Sequence, residues 1–225
     1  MKYFVKTPWW VKKIYSSYTW DIKTKEKVIY LSFDDGPHEQ ATSFVLDELK
    51  KYNAKASFFC IGKNVVALPA VYKRILEEGH TIGNHTYNHL NGWKTAEADY
   101  LKDVAEAAKY IDSSLFRPPY GRIKAFQAKN IPSAMKDHSA KVIMWDVLSG
   151  DFDESITKDE CLQNVILNVK NGSIVVFHDS EKAFTNLEFC LPRTLEFFAA
   201  KGFRFEGLLN SRISEINNKE GIVVK

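Results

Sequence analysis

Cysteine is scarce in this chain. Its three cysteines, Cys60, Cys161 and Cys190, are an odd number among 225 residues and form no CxxC pair. They read as buried apolar residues, and no disulfide framework follows from them. Charge of one sign is also missing. With 31 basic against 28 acidic residues the net charge is +3, which gives no electrostatic footprint for nucleic acid. No apolar run approaches the ~18 residues of a membrane-spanning helix. Residues 1–20 hold no continuous apolar stretch ending in a small-residue cleavage site, so no signal peptide is read. Reduced cysteines and this N-terminus together favour a cytoplasmic location. No GxGxxG or phosphate-binding loop follows the first apolar run, which removes the usual mark of a nucleotide fold. Internal repeats and low-complexity tracts are absent as well.

What is present is alternation. Apolar runs at 27–33, 55–61, 80–84, 114–119, 140–148, 173–179 and 203–205 read as strands. Segments 41–52, 67–79, 95–111, 157–172 and 186–202 have helical spacing. Thr95 and Thr157 stand where N-caps belong, and Gly79 and Gly172 follow helix ends. Continuous apolar strands separated by helices imply a parallel sheet covered on both faces. With 45% apolar residues, the chain can bury a full core. About seven strand–helix units fit the length, as a barrel or as an open doubly wound sheet.

The unusual polar residues share one placement, just past strand ends. Asp34 and Asp35 follow "VIYLSF", His85 and His89 follow "HTIGN", Arg117 to Tyr120 follow "SLF", Asp146 lies near the end of "KVIMWDVL", and His178 and Asp179 follow "SIVVF". Parallel α/β folds gather such ends on one face, where active sites form. On a helical turn, His85 and His89 would face the same way. Two imidazoles plus one carboxylate make a three-ligand metal site with an open position, the pattern of hydrolytic zinc centres. Successive residues of an extended chain point opposite ways, so one acid of the Asp34–Asp35 pair can hold a metal while the other stays free as a base. His38, His80 and His138 read as ordinary loop, strand-start and helix-end residues. Tyr87, Trp93, Tyr120 and Phe184 are aromatics that either stack on sugar rings or pack.

The segments "SFDDGP", "HTYNH", "RPPYG", "WDVLSGDF" and "VVFHD" resemble, in order and rough spacing, the five motifs of the polysaccharide deacetylases (carbohydrate esterase family 4). The resemblance covers about residues 27–205. It implies an α/β fold, a distorted (β/α) barrel with about seven parallel strands, and metal-dependent removal of N- or O-acetyl groups from a glycan. Carried over by motif, Asp35, His85 and His89 hold one divalent ion, Zn2+ first, with Co2+, Ni2+ or Fe2+ as alternatives. Asp34 is the general base, aimed by Arg117. The backbone N–H of Tyr120 faces the oxyanion, and His178 is the general acid. Pro119, Trp145, Phe152 and Val176 are assigned to substrate binding, the last two as the acetyl-methyl pocket. The acid that normally supports the histidine falls at Leu148, and Phe152 and Val176 replace the usual Trp and Leu. Asp146, two residues earlier, is therefore expected to substitute. These departures keep a glycan-binding or weakly active scaffold, or a small-molecule amidase or esterase, as alternatives. Residues 1–26 are expected to pack on the barrel as an extension of the 27–225 catalytic domain, with Trp9 and Trp10 as a hydrophobic cover over its bottom. A monomer acting on an acetylated glycan is the expected assembly.

Overall fold

In the computed structural model, which describes residues 3–208, the first long strand explains why the apolar runs are continuous. Ile29, Leu31 and Phe33 face outward into the helical layer, while Tyr30 and Ser32 face the barrel interior. Both faces are covered, so neither needs to be polar.

Chain order begins with a short helix, α1 (Trp9–Ile14), followed by β1 (Val28–Asp34), α2 (Glu39–Lys51) and β2 (Ser57–Cys60). Next come α3 (Gly62–Ala67), α4 (Pro69–Glu77), β3 (Thr81–Asn84), α5 (Glu97–Ala107), β4 (Leu115–Phe116) and α6 (Ala125–Ala134). The chain closes with β5 (Lys141–Val142), β6 (Val147–Leu148), α7 (Lys158–Ile166), β7 (Ile174–His178), α8 (Phe184–Ala200) and β8 (Arg204–Phe205). Seven parallel strands run in the order β5-β4-β3-β2-β1-β7-β6, and β8 pairs with the start of β1. The sheet curls into a barrel in which β1 lies between β2 and β7, Asp34 registered against His178 on β7 and Phe59 on β2. Parallel strands put all the C-terminal ends on one rim.

Outside the sheet, Phe33 stacks between Phe58 and Phe177, with ring centroids 5.2 and 6.0 Å away. Leu46, Leu49, Leu191 and Leu195 of α2 and α8 close over them. At roughly 1.5–3 kcal/mol per fully buried large apolar side chain, this layer offsets the cost of the polar groups inside. Thr157 caps α7 as expected, accepting from the Glu160 N–H at 3.1 Å while Glu160 accepts from the Thr157 N–H at 2.7 Å.

Three local expectations change. The 140–148 run is two short strands, β5 and β6, separated by a break. No helix was read over 125–134, where α6 forms with Pro132 inside it. Trp9 and Trp10 do not cover the barrel: they are 74% and 48% exposed, whereas Trp20 is the buried tryptophan at 9%. The N-terminal segment instead closes sheet edges. Lys6 bridges Val147 antiparallel, and Thr19 bridges Ile143. Backbone hydrogen bonds from Leu148 N to Val5 O at 2.8 Å and from Met144 N to Thr19 O at 2.7 Å satisfy edge groups that β5 and β6 would otherwise leave open. The residues from 209 onward, including "SRISEI", lie outside the described residues. Among the described residues, no helix is long and apolar enough to cross a membrane.

Candidate metal centre and active site

Asp34 ends β1 almost wholly buried, and its charge is met by Arg117, which follows β4. The guanidinium donates to Asp34 Oδ1 at 2.7 Å and to Ser32 Oγ at 2.8 Å. Its remaining nitrogens donate to the Ile143 and Met144 carbonyls at 3.2 and 3.1 Å, and its carbon lies 3.9 Å from the Phe59 ring centre. Arg117 is completely buried. A buried cation of this kind persists only when its donors are used and an opposite charge is in contact.

The same residue orients the first histidine. His85 Nδ1 lies 2.7 Å from the Arg117 carbonyl oxygen. A carbonyl only accepts, so Nδ1 carries the proton and Nε2 keeps its lone pair. Asp35 Oδ1 sits 3.6 Å from His85 Nε2 and 3.0 Å from His89 Nε2. One potential ligand atom from each of Asp35, His85 and His89 lies within 4.8 Å of the others. Asp35 Oδ1 is buried without a hydrogen-bond partner, which a cation would remedy. Burial pushes the Asp35 carboxyl up, but the neighbouring imidazoles outweigh it and hold it well below its ordinary value. One oxygen and two nitrogens converging on one point suit a divalent ion.

The histidines are not on a helical turn, as their spacing had implied. They lie in a loop in which Thr86 and His89 adopt left-handed backbone, φ 63° and 58°. Asp103 of α5 holds that loop. Its Oδ2 accepts from the N–H groups of Tyr87 and Asn88 at 2.8 and 2.9 Å, and its Oδ1 from the Asn88 side chain at 2.6 Å. Sequence reasoning missed Asp103, because a lone acid on a polar helix carries no signal. Groups that orient metal ligands commonly carry 10–100-fold in affinity. Asp103→Ala is accordingly expected to weaken Zn2+ binding about 10–100-fold, measured by competition against a chelator. An unchanged affinity in a folded variant would show that the loop holds its shape without Asp103.

The turn after Asp35 is set by Asp179. Its carboxylate accepts from the Gly36 N–H at 3.1 Å and from Thr42 Oγ1 at 2.5 Å. A Cβ at Gly36 would collide with that carboxylate, so the position needs glycine. Burial, opposed by the Thr42 hydrogen bond and assisted by the charges of Asp35 and Asp34, pushes Asp179 up to about 8. His38, read as a loop residue, caps α2 by accepting from the Ala41 N–H at 3.2 Å.

His178 ends β7 beside Asp34. Its Nδ1 is 2.8 Å from Asp151 Oδ1, and its N–H donates to Asp151 Oδ2 at 2.7 Å. Burial lowers the imidazole, but Asp151, helped by Asp35 and Asp34, raises it to about 9. Asp151 thus occupies the supporting position that was expected of Asp146. Asp146 is not near His178. It precedes β6, where its N–H donates to the Ile174 carbonyl at 2.9 Å. Its carboxylate is held by Lys6, Lys12 and Ser173, each at 2.5 Å. Four strand residues from Ile174 to His178 put roughly 13 Å between these two levels. The single-strand reading of 140–148 placed Asp146 at a strand end, whereas the break places it before a strand start.

The remaining candidates sit around these pairs. Pro119 and Tyr120 form a tight turn over the centre, with Tyr120 57% exposed and its ring 4.6 Å from that of His89. Gly121 has φ 65°, and a Cβ there would meet Trp145 at 2.6 Å, so Trp145 lies directly beneath this turn. Phe152 packs edge-on against His178 at 5.0 Å and tilts against Tyr3 at 5.4 Å. Val176, fully buried, lies two residues before His178 on the same strand face.

A curled parallel barrel with a carboxylate–imidazole cluster and two buried charge pairs on its C-terminal rim is the architecture of a metallohydrolase. Residues 21–142 match the family model described as polysaccharide deacetylase. A peptidoglycan-N-acetylglucosamine deacetylase of Bacillus cereus is 34% identical over 193 residues, which cover 83% of this chain and 89% of that protein. A chitooligosaccharide deacetylase of Azorhizobium caulinodans is 28% identical, covering 70% of this chain and 76% of its own. The crystal structure of the Bc1960 peptidoglycan N-acetylglucosamine deacetylase superposes with a TM-score of 0.79 at 31% identity, covering 90% of this chain and 95% of that one. Other relatives are longer: the chain spans 62% of a second Bacillus cereus deacetylase and 37% of the Listeria monocytogenes peptidoglycan deacetylase PgdA. The chain belongs to the polysaccharide deacetylase family.

Proposed function

We propose that this chain is a metal-dependent deacetylase that hydrolyses N-acetyl groups of an amino-sugar glycan. The observation that carries the reading is the convergence of three elements on one rim: the Asp35–His85–His89 cluster, the Asp34–Arg117 pair and the Asp151–His178 pair. When bound by the cluster, a divalent ion, Zn2+ first and Co2+, Ni2+ or Fe2+ as alternatives, would supply Lewis acidity toward the acetyl carbonyl and toward water.

The chain's own residues do the rest. Asp34, aimed by Arg117, takes a proton from the attacking water. The backbone N–H of Tyr120 faces the developing oxyanion, a donor of a kind commonly worth ~3 kcal/mol. His178, kept protonated by Asp151, gives its proton to the departing amine. Phe152, with Val176 behind it, bounds the acetyl methyl, and Pro119 and Trp145 shape the floor. The scaffold alternative rested on the departures at Leu148 and Phe152, and the Asp151–His178 pair weighs against the first of these.

The relatives named above act on peptidoglycan and chito-oligosaccharide, so both are the substrates to try. Purified protein with Zn2+ is expected to release acetate from N-acetylated chito-oligosaccharides or peptidoglycan. Chelation should abolish release, and added Zn2+ should restore it. Acetate release that survives complete metal removal, or none from either glycan with Zn2+ bound, would overturn the reading.

A further inference from the structure

Four residues beyond His89 stands Trp93, which with Arg122 forms an aromatic–cation pair that the mechanism does not use. Trp93 follows the His85–His89 loop and is 60% exposed. Its position is nonetheless fixed. The indole N–H donates to the Ile123 carbonyl at 3.2 Å. The loop beneath it is locked by Gln127, which is fully buried, donates to the Gly92 carbonyl at 2.9 Å and accepts from the Lys124 N–H at 2.9 Å. Arg122, two residues past Tyr120, places its guanidinium 5.2 Å from the centre of the Trp93 ring.

Arg74, Arg117 and Arg204 each contact a carboxylate, and Arg193, which has no ion pair among the described residues, donates to the Phe189 carbonyl at 2.9 Å. Arg122 makes no ion pair among the described residues, and its guanidinium donors have no protein acceptor there. A planar fork of free N–H donors matches a carboxylate bidentately. An exposed indole held in one orientation offers a flat face to a sugar ring at little ordering cost. The pair adjoins the turn of Pro119 and Tyr120, which itself contacts His89. A glycan whose acetyl group reaches the metal cluster would therefore lay a neighbouring sugar against Trp93.

We propose that Trp93 and Arg122 form a subsite for an acidic sugar, a residue bearing a free carboxylate, adjacent to the sugar being deacetylated. This rests on the deacetylase reading above and narrows its substrate class from amino-sugar glycans in general to those carrying a carboxylated neighbour.

The test compares wild type, Arg122→Gln, Arg122→Lys and Trp93→Ala, all with Zn2+, on four tetrasaccharides. These are neutral N-acetylchitotetraose, an alternating N-acetylglucosamine–N-acetylmuramic acid chain with free lactyl carboxylates, the same chain with those carboxylates amidated, and an N-acetylglucosamine–glucuronate chain. Wild type is expected to favour a free-carboxylate substrate over its neutral counterparts. Arg122→Gln should lower kcat/KM on that substrate about tenfold, through KM, because the lost contact is present equally in ground and transition states. On chitotetraose it should change kcat/KM less than about twofold. Trp93→Ala should weaken all substrates, and Arg122→Lys should recover part of the loss. Which acidic chain responds, lactyl or uronate, names the source of the carboxylate. Equal losses on acidic and neutral chains, or no wild-type preference for the free acid over its amide, overturn the proposal. Activity of wild type on chitotetraose tests the deacetylase reading separately. If no glycan is turned over, calorimetric binding of the free-acid and amidated chains to wild type and Arg122→Gln decides the subsite by the same ratio.

Discussion

Asp151→Asn is expected to move the alkaline limb of the kcat/KM profile to lower pH and to cut activity at pH 8 by roughly 10²-fold, within the range a general acid contributes. The sign follows from the role. A general acid works while it holds its proton, so activity is present below the His178 pKa and is lost as pH rises through it. In the intact site that pKa is raised to about 9: burial alone would lower it, and Asp151 is the principal group that lifts it. Asparagine retains a hydrogen-bond acceptor but not the charge. Burial then prevails, and His178 is deprotonated at a pH where the wild type is still active. Asp146→Asn should leave the limb in place, because its carboxylate serves Lys6, Lys12 and Ser173 instead. A profile measured from pH 5 to 10 separates the two. A limb that shifts with Asp146 and not with Asp151 would reverse the assignment.

The largest expected loss of stability comes from Arg117→Met. The variant keeps much of the side-chain length over Phe59 but strands Asp34 as a buried, unpaired carboxylate. Removing one partner of a buried ion pair costs about 3–5 kcal/mol, against a total stability of about 5–15 kcal/mol for a typical domain. It also frees the acceptors Ser32, Ile143 and Met144 inside the barrel. Urea unfolding should show a markedly lower midpoint with little change in slope. The double variant Asp34→Asn/Arg117→Met should recover part of that loss, since the orphaned charge is gone. A double variant as unstable as the sum of the two singles would mean that the pair is not coupled in folding. Activity should stay low in all three, because each disturbs the proposed base.

The candidate metal ligands Asp35 and His85 were legible in the sequence because each stands just past an apolar run, with His89 four residues further on, and a parallel sheet carries such positions to one rim. Asp35, His85 and His89 are 50 and more residues apart at the extremes, yet the fold brings their ligand atoms within 4.8 Å. Arg117 was legible for the same reason. The helical turn proposed for His85 and His89 failed because a spacing of four is compatible with a loop. Two left-handed residues and Asp103 supply the geometry that a helix would have supplied. Trp9 and Trp10 were misplaced because an aromatic pair in a basic segment has no period that says which side faces the sheet. The segment's backbone, pairing with β5 and β6, decided that question.

By itself the sequence determined a parallel sheet covered by helices and the set of groups able to bind a metal, because side-chain period and strand-end position are local properties of the chain; the barrel came from the resemblance of its motifs to the polysaccharide deacetylases. Only the tertiary structure decided which acid serves His178. Leu148, Asp146 and Asp151 lie within six residues of one another, and nothing local ranks them. The ranking comes from distant anchors: Asn164 donates to the Ser149 carbonyl at 2.9 Å and Asn186 to the Asp151 carbonyl at 3.1 Å, turning Asp151 toward the rim. Lys6 and Lys12 meanwhile hold Asp146 at the opposite end of the sheet.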